Sequence, residues 1–188
     1  MSFKQLLQSW PAFSQQITAF SQELGLDSLT LHCDHAALRV NDFDKACQLH
    51  LDVASQGEIL SNNVINGRPI IIIKLDEGLP FNQQTIDCIE LPYPGEKQYP
   101  AEGWEHIELV LPCQATTTQE LCEALIARVP SIAPILNGET AIKVKLSSPQ
   151  GEHERLANPT IAFKQGNLCI KVHPASIEAV ILSEQALD

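Results

Sequence analysis

The chain has 188 residues, 44% of them hydrophobic, and its 12 basic residues face 23 acidic residues for a net charge of −11. Length and composition predict a single domain over residues 1–188 that buries about 70% of the surface of the unfolded chain. The negative charge repels phosphate backbones and anionic lipids, so we expect neither nucleic acid nor a membrane as a partner. No apolar run approaches the roughly 18 residues of a membrane-spanning helix, and the N-terminus lacks a secretory signal pattern, so we expect a cytoplasmic protein.

The first block of predicted elements begins with helical periodicity. Apolar residues recur at intervals of three and four over the first 25 residues, and Pro11 predicts a break there. A strand follows in LHCDHAALRV, and Asp42 or Asp44 can cap a helix over residues 43–54. Three strands are predicted over residues 58–64, 69–75 and 85–91. Asn66-Gly67 lies between the first two and favours a tight hairpin, because both residues tolerate positive φ.

The same order of elements repeats after a loop rich in Pro and Gly, PYPGEKQYPAEG. A strand over 104–111 precedes a helix over 118–128, and strands follow over 142–146, 160–164 and 168–172. A last helix is predicted over 175–187. The chain therefore reads as a helical segment (1–28), a βαβββ module (29–92), a second βαβββ module (103–173) and a C-terminal helix (174–188). The repeat is one of element order and not of residues.

In the first and last strand of each block, the side chains alternate with a period of two and so divide between two faces of the sheet. One face is apolar and is expected to pack on the helices. The other face carries the polar side chains, which would meet if the sheet curls: His35, Arg39, Glu90, His106, Glu108, Lys171 and His173.

Two imidazoles and a carboxylate converging from different strands suit divalent Zn, Mn, Fe or Ni. Such a metal leaves open positions for water or a chelating substrate and polarises a substrate oxygen. A solvent-facing side of an antiparallel sheet shows the same alternation without any function, so the pattern alone leaves both readings open.

Other polar residues are given no site role by the same reasoning. Asp34 and Glu105 precede the two strand histidines, and strict alternation places them on the opposite face from His35 and His106. His32 and His50 are expected to be ordinary surface or partly buried side chains. His153, in QGEHER, is expected in a polar loop, which could also overhang a site.

Several segments resemble the YecM-like branch of the vicinal oxygen chelate superfamily, which includes glyoxalase-type, bleomycin-resistance-type and extradiol-dioxygenase-type proteins. The segments are DHAALRV, NNVINGRPIIIIKL, IELPYPGEKQYPAEGWEHIELVLP, SSPQGEHERLANPT and IKVHPASIEAVILSEQ. The resemblance implies an α+β fold in which paired βαβββ modules form an open, mostly antiparallel half-barrel flanked by N-terminal and C-terminal helices.

The resemblance also implies a metal held by residues of the first and last strand of each module. The matching positions are His35 and Glu90 in the first module, and His106 with either Lys171 or His173 in the second. A protonated lysine is a poor ligand. His173 or Glu108 therefore substitutes for Lys171, or the site has three protein ligands, or the site is vestigial.

The leading functional hypothesis is a metal-dependent isomerase, lyase or dioxygenase that acts on a small oxygen-chelating molecule. Its metal ligands are His35, Glu90 and His106, with His173 as the fourth candidate. Arg39 and Lys171 would pair with an anionic substrate group, and Glu108 would act as general base. The alternatives are a metal-free module that binds or sequesters a small molecule, and a protein whose acidic surface recruits a partner. A monomer and a homodimer are both compatible with the sequence.

Overall fold

The computed structural model describes residues 1–65, 67–148 and 156–185. An N-terminal helix, α1 (Phe3–Glu23), precedes two blocks of the same element order. The first block is β1 (His32–Arg39), α2 (Phe43–Ala54), β2 (Gly57–Ile65), β3 (Arg68–Phe81) and β4 (Gln84–Pro92). The second is β5 (Gly103–Val110), α3 (Thr118–Arg128), the short helix α4 (Ala133–Leu136), β6 (Lys143–Ser147), β7 (Thr160–Gln165) and β8 (Leu168–His173). The helix α5 (Ile177–Gln185) follows.

The expected break at Pro11 is wrong, because α1 runs through this residue as one helix. Pro11 has no N–H to donate to the preceding turn. The helix continues because its apolar side is anchored on both sides of the proline, for example by Trp10, which is 2% exposed, and by the fully buried Ile17. The indole of Trp10 also packs edge-on against Trp104 of β5, with ring centroids 4.8 Å apart. Ser2 begins the helix with a capping box to Gln5.

The bounds of α2 and α3 agree with the sequence prediction, since both helices begin at strong caps. The Asp42 side chain accepts from the Lys45 amide at the start of α2. Thr117 and Glu120 form a capping box at the start of α3. The short α4 and the 3-10 turn before it, Pro130–Ile132, were not predicted, since a segment of this length shows no helical periodicity.

All eight strands of the described chain form one sheet in the order β2-β3-β4-β1-β5-β8-β7-β6. The first strand of each block pairs in parallel with the last strand of the same block, β1 with β4 and β5 with β8. The remaining neighbours are antiparallel, including β1 with β5, where the two blocks meet. The predicted α+β fold of paired βαβββ units in an open, mostly antiparallel sheet is confirmed.

The hairpin predicted between the strands at 58–64 and 69–75 is present, and it joins β2 to β3. Ile65 pairs with Arg68, and Gly67 has a φ of 77°, a value that glycine adopts without strain. Asn66 lies outside the described residues. A second two-residue hairpin joins β3 to β4, with Asn82 at a φ of 51°.

The apolar side of the sheet packs against α1, α2 and α3 in one main core. Ala36, Leu38, Ile107, Ile170 and Val172 are all at most 1% exposed within it. The helix α5 packs on the opposite side, in a smaller cluster with residues of β3 and β4. The polar face of the central strands is therefore bordered by α5. None of the described helices combines the length and apolar character needed to span a lipid bilayer.

Candidate metal centre

The candidate site lies on the polar face of β1, β5 and β8, which are neighbours in the middle of the sheet. His35 of β1 pairs with Glu108 of β5, and Glu108 pairs in turn with Lys171 of β8. His106 lies on β5 opposite Ala37, and His173 ends β8 opposite Val110. Because β1 begins the first block and β5 and β8 belong to the second, both blocks contribute to the site.

Two β-bulges add a carboxylate beside each of the strand histidines. The β1–β5 register shifts between Cys33 and His35, so Asp34 is the extra residue of β1. It shifts again between Ala37 and Leu38, where Glu105 is the extra residue of β5. An extra residue interrupts strict alternation, and adjacent side chains can then share a face. The expectation that Asp34 and Glu105 point away from the histidines is therefore wrong.

His35 is 2% exposed and is held from both sides by acidic groups. Its Nδ1 is 3.1 Å from Oδ2 of Asp34, and its Nε2 is 3.4 Å from Oε1 of Glu108. Burial by itself lowers the pKa of His35, but the charge of Glu108 and the hydrogen bond to Asp34 outweigh it. Together these carboxylates raise the pKa of His35 from 6.5 to about 10.

His106 is 3% exposed and repeats this arrangement one strand away. Its Nδ1 contacts a carboxylate oxygen of Glu105, while its Nε2 is 3.0 Å from Oε1 of Glu108. Glu105 is fixed in turn by Arg39, whose Nη2 lies 2.6 Å from Oε1 of Glu105. Burial raises the pKa of Glu105, but the neighbouring His106 and Arg39 outweigh this and hold the pKa well below its usual range.

His173 is 1% exposed and faces Glu108 from the end of β8. Its Nδ1 lies 2.5 Å from the carbonyl oxygen of Ala175, and its Nε2 lies 3.4 Å from Oε2 of Glu108. Burial lowers the pKa of His173 and so favours the neutral imidazole, which is the form that binds a metal.

All three imidazoles share one orientation. Each Nδ1 faces an oxygen acceptor, and each Nε2 is directed toward Glu108. Within the described part of the chain, the buried side-chain nitrogens and oxygens without a hydrogen-bond partner are Nε2 of His35 and Nε2 of His173. An outer acceptor on Nδ1, with Nε2 left for the metal, is the usual arrangement of a metal-binding histidine.

The ligand atoms of His35, His106 and Glu108 all lie within 4.8 Å of one another, and all three residues are buried. Two imidazoles and a carboxylate at this spacing form a possible site for a divalent transition metal. The triad includes Glu108, for which the sequence suggested the role of general base.

Lys171 forms an ion pair with Glu108 in the structure. Its Nζ lies 2.6 Å from Oε1 of Glu108, and its side chain is 26% exposed. Burial raises the pKa of Glu108, but Lys171 and then His35 outweigh it and hold the pKa well below its usual range. Burial lowers the pKa of Lys171, but Glu108 more than offsets this and raises it. Both groups are therefore charged at neutral pH.

The remaining predicted site residues lie at the edge of this cluster. Oε2 of Glu90 is 3.8 Å from Nε2 of His35, and its side chain is 15% exposed. Arg39 does not contact the triad, because its guanidinium pairs with Glu105 and stacks 3.6 Å above the ring centre of Tyr99.

His50 lies on α2, with its Nδ1 3.0 Å from the Tyr93 hydroxyl. His153 lies outside the described residues.

Asp34 and Glu105 are the site residues that the sequence reasoning missed, and the sequence does contain a signal for each of them. Cys33 and Ala36 are both in the main core although they are three positions apart. Trp104 and Ile107 show the same spacing, and Trp104 also packs against that core. Apolar residues three apart in a strand indicate a bulge between them.

The comparisons with known sequences and solved structures agree with one another. A sequence profile described as YecM protein matches residues 2–184. The protein YecM of Escherichia coli K12 is 43% identical over 176 residues, which cover 94% of this chain and 90% of that protein. An uncharacterized protein of Haemophilus influenzae is 39% identical over 171 residues, 88% of this chain and 86% of that protein.

A solved structure, the structural-genomics protein EC4020, superimposes with a TM-score of 0.80 at 38% identity. The superposition covers 97% of this chain and 92% of that one. The resemblance to the YecM family inferred from the sequence motifs is confirmed, and the chain belongs to this family.

Proposed function

We propose that this protein is a divalent-metal-dependent enzyme that acts on a small metabolite able to chelate the metal through neighbouring oxygens. The observation that carries the proposal is the pair of buried, unpartnered Nε2 atoms of His35 and His173, both directed at Glu108. A buried polar atom without a partner costs free energy, commonly about 1–3 kcal/mol. A metal ion bound by both Nε2 atoms removes that cost, with release of the proton that His35 holds.

The ligand set that the geometry favours is His35, His106 and Glu108, with His173 as the fourth ligand. Each imidazole already has an acceptor at Nδ1, so the donor set fits zinc, iron, manganese or nickel. When bound, such a metal supplies Lewis-acid polarisation of a substrate oxygen, or redox chemistry if it is iron. Isomerase, lyase and dioxygenase reactions are all compatible with this donor set.

The two nearby carboxylates divide the remaining roles. Glu108 lies 3.0 Å from Nε2 of His106, whereas Glu90 lies 3.8 Å from Nε2 of His35 and is the more exposed of the two. These distances favour Glu108 as the ligand and Glu90 as the group that accepts a substrate proton, the reverse of the roles that the sequence suggested.

The cations on the same face favour an anionic substrate. Lys171 has three N–H donors, of which one is directed to Glu108, and its side chain is 26% exposed. It therefore retains donors for a substrate carboxylate. Arg39 is occupied by Glu105, so we assign it first to positioning His106 and only then to the substrate.

A cytoplasmic location and a monomer or homodimer stay predictions from the sequence.

The proposal is tested by titrating metal-free protein with Co²⁺ and recording the visible absorption that histidine ligation produces. Wild type and the control His50→Ala, which alters a histidine outside the site, are expected to bind one equivalent with the same spectrum. His35→Ala and His106→Ala are expected to lose the spectrum while circular dichroism shows a folded protein. Equal binding by all four proteins contradicts the proposed ligand set.

The second candidate is a metal-free module that binds a small molecule. One observation favours it, because Lys171 and a protonated His35 compensate the charge of Glu108 without any metal. Under this alternative, a chelator leaves the melting temperature of the purified protein unchanged, and Co²⁺ does not change it either. A rise in melting temperature with Co²⁺ that is lost in His106→Ala eliminates this alternative.

A further inference from the structure

The C-terminal helix α5 is attached to the sheet by few buried side chains. Among the described residues these are Val180, which is 4% exposed, and Ile181, which is 7% exposed and packs with Ile70, Ile72 and Cys88 in a cluster separate from the main core. Lys74 and Glu178 form an ion pair of 2.8 Å at its edge, but both side chains are about half exposed, so this pair contributes little. A helix held by so few buried side chains can open locally without unfolding the sheet.

The same helix is connected to the candidate metal centre by one carboxylate oxygen. Oδ2 of Asp34 accepts a hydrogen bond of 2.8 Å from the backbone amide of Ile177, at the start of α5. That oxygen also lies 3.1 Å from Nδ1 of His35. Asp34 is 5% exposed, so both hydrogen bonds are shielded from water. The position of α5 therefore affects the group that orients His35.

A second connection runs through the segment that leads into α5. The carbonyl oxygen of Ala175 accepts from Nδ1 of His173 at 2.5 Å. The amide nitrogen of Ala175 donates at 3.3 Å to Asn158, whose side chain also lies 3.3 Å from Nδ1 of His173. Two of the three imidazoles thus donate their outer hydrogen bonds to Asp34 and to the segment that leads into α5.

We propose that α5 is a positioning element of the metal centre and that Asp34 is the positioning residue that links the two. This inference rests on the proposed function, because it requires that the centre bind a metal. When α5 is docked, the Ile177 amide fixes Asp34, and Asp34 fixes the His35 ring with its Nε2 toward Glu108. Linkage is reciprocal, so metal binding stabilises the docked helix by the same free energy by which docking strengthens metal binding.

The first test compares two substitutions on α5. Ile181→Asp places a charge in the buried cluster and undocks the helix, whereas Leu182→Asp alters a side chain that is 64% exposed. Zn²⁺ affinity is measured for both against a competing chelator dye. Ile181→Asp is expected to weaken Zn²⁺ binding about tenfold, and Leu182→Asp is expected to bind as wild type does.

A second test needs no substitution and so does not depend on how a variant folds. Amide hydrogen exchange of wild-type protein is measured with and without Zn²⁺. The amides of α5 are expected to exchange more slowly when Zn²⁺ is bound, although none of the proposed metal ligands lies on α5. Unchanged exchange in α5 while the strands β1 and β5 gain protection overturns the inference.

The role of Asp34 is tested by a double-mutant cycle. Asp34→Asn alone is expected to weaken Zn²⁺ binding about 10–100-fold, as is usual when an outer hydrogen bond to a ligand is altered. In the Asp34→Asn background, Ile181→Asp is expected to weaken binding less than it does in wild type, because the link through Asp34 is already cut. A purely structural helix would give additive losses instead. Absence of Zn²⁺ binding by wild type contradicts the proposed function, whereas normal binding by Ile181→Asp contradicts only the role of α5.

Discussion

His35 and Glu108 face each other directly across the strands where the two βαβββ blocks meet, with Nε2 of His35 3.4 Å from Oε1 of Glu108. Because one residue belongs to each block, the site forms only when β1 and β5 pair in this register. A shift of the pairing by one residue would move one of the two side chains to the apolar face. The candidate centre is therefore a consequence of how the two blocks join.

Replacing Lys171 by methionine is expected to strengthen metal binding. The Lys171 ammonium lies 2.6 Å from Oε1 of Glu108 and competes with a metal for this carboxylate. Removal of the ammonium should strengthen the affinity for the metal about fivefold. This is equivalent to about 1 kcal/mol, as expected for an ion pair that is partly exposed. The metal-free variant should also lose about 2 kcal/mol of stability, because the buried Glu108 carboxylate loses its charged hydrogen-bond donor.

Zn²⁺ competition and urea denaturation in the presence of a chelator measure these two effects. Lys145→Met is the matched control, since Lys145 is exposed on the edge strand β6. Weaker metal binding by Lys171→Met would show that Lys171 supports the bound metal and does not compete with it.

Replacing Arg39 by methionine is expected to weaken metal binding although Arg39 does not contact the ligand triad. Its guanidinium fixes Glu105, and Glu105 fixes His106. The loss should be several-fold for Arg39→Met and about tenfold or more for Glu105→Gln, which alters the outer hydrogen bond of His106 directly. Isothermal titration with Zn²⁺ measures both, and the double variant should equal Glu105→Gln alone. An additive loss would show that Arg39 acts by a different route.

The stability of the metal-free protein should depend on pH through His35. Its pKa is raised from 6.5 to about 10 on folding, so the folded protein binds this proton more tightly than the unfolded chain does. The resulting stabilisation is complete below pH 6.5 and is lost as the pH rises through about 10. The difference in unfolding free energy between wild type and His35→Gln should therefore shrink between these limits. Urea denaturation with a chelator present measures it, and a constant difference would refute the assignment.

Metal uptake at neutral pH should release a proton from the same residue. A metal that binds Nε2 of His35 must displace the proton that Glu108 and Asp34 retain, and this proton is bound up to about pH 10. Calorimetry in buffers of different ionisation enthalpy should then report about one proton per Zn²⁺ at pH 7.5. The affinity should rise about tenfold per pH unit between pH 7 and 9. Uptake without proton release would place the metal away from His35.

The sequence predicted the elements whose signals are local. Asp42 and Thr117 with Glu120 are strong N-caps, and the helices that they begin have the expected bounds. The repeated order of strands and helices indicated two βαβββ modules, and the resemblance to the YecM-like branch implied that they form one open sheet. Continuity of α1 through Pro11 was not predictable, because it depends on Trp10 packing against Trp104, about ninety residues away.

Strict alternation predicted the polar face. The same assumption missed the carboxylates that lie beside Nδ1 of His35 and of His106. Alternation brings His35, His106, Glu108 and Lys171 to one side of the sheet, as the structure has them. It excludes Asp34 and Glu105, because strict alternation overlooks the two bulges in the β1–β5 pairing that the apolar spacing of three indicates. The choice of Glu108 over Glu90 as the nearer carboxylate depends on the same pairing.

The most direct test of the account is the metal content of protein purified without a metal-binding tag, measured by elemental mass spectrometry for wild type, His35→Ala and His106→Ala. Close to one transition-metal ion per wild-type chain is expected, and both variants should lose it while each remains folded. Wild-type protein that carries no metal and takes up none after incubation with zinc, iron, manganese or nickel would contradict it.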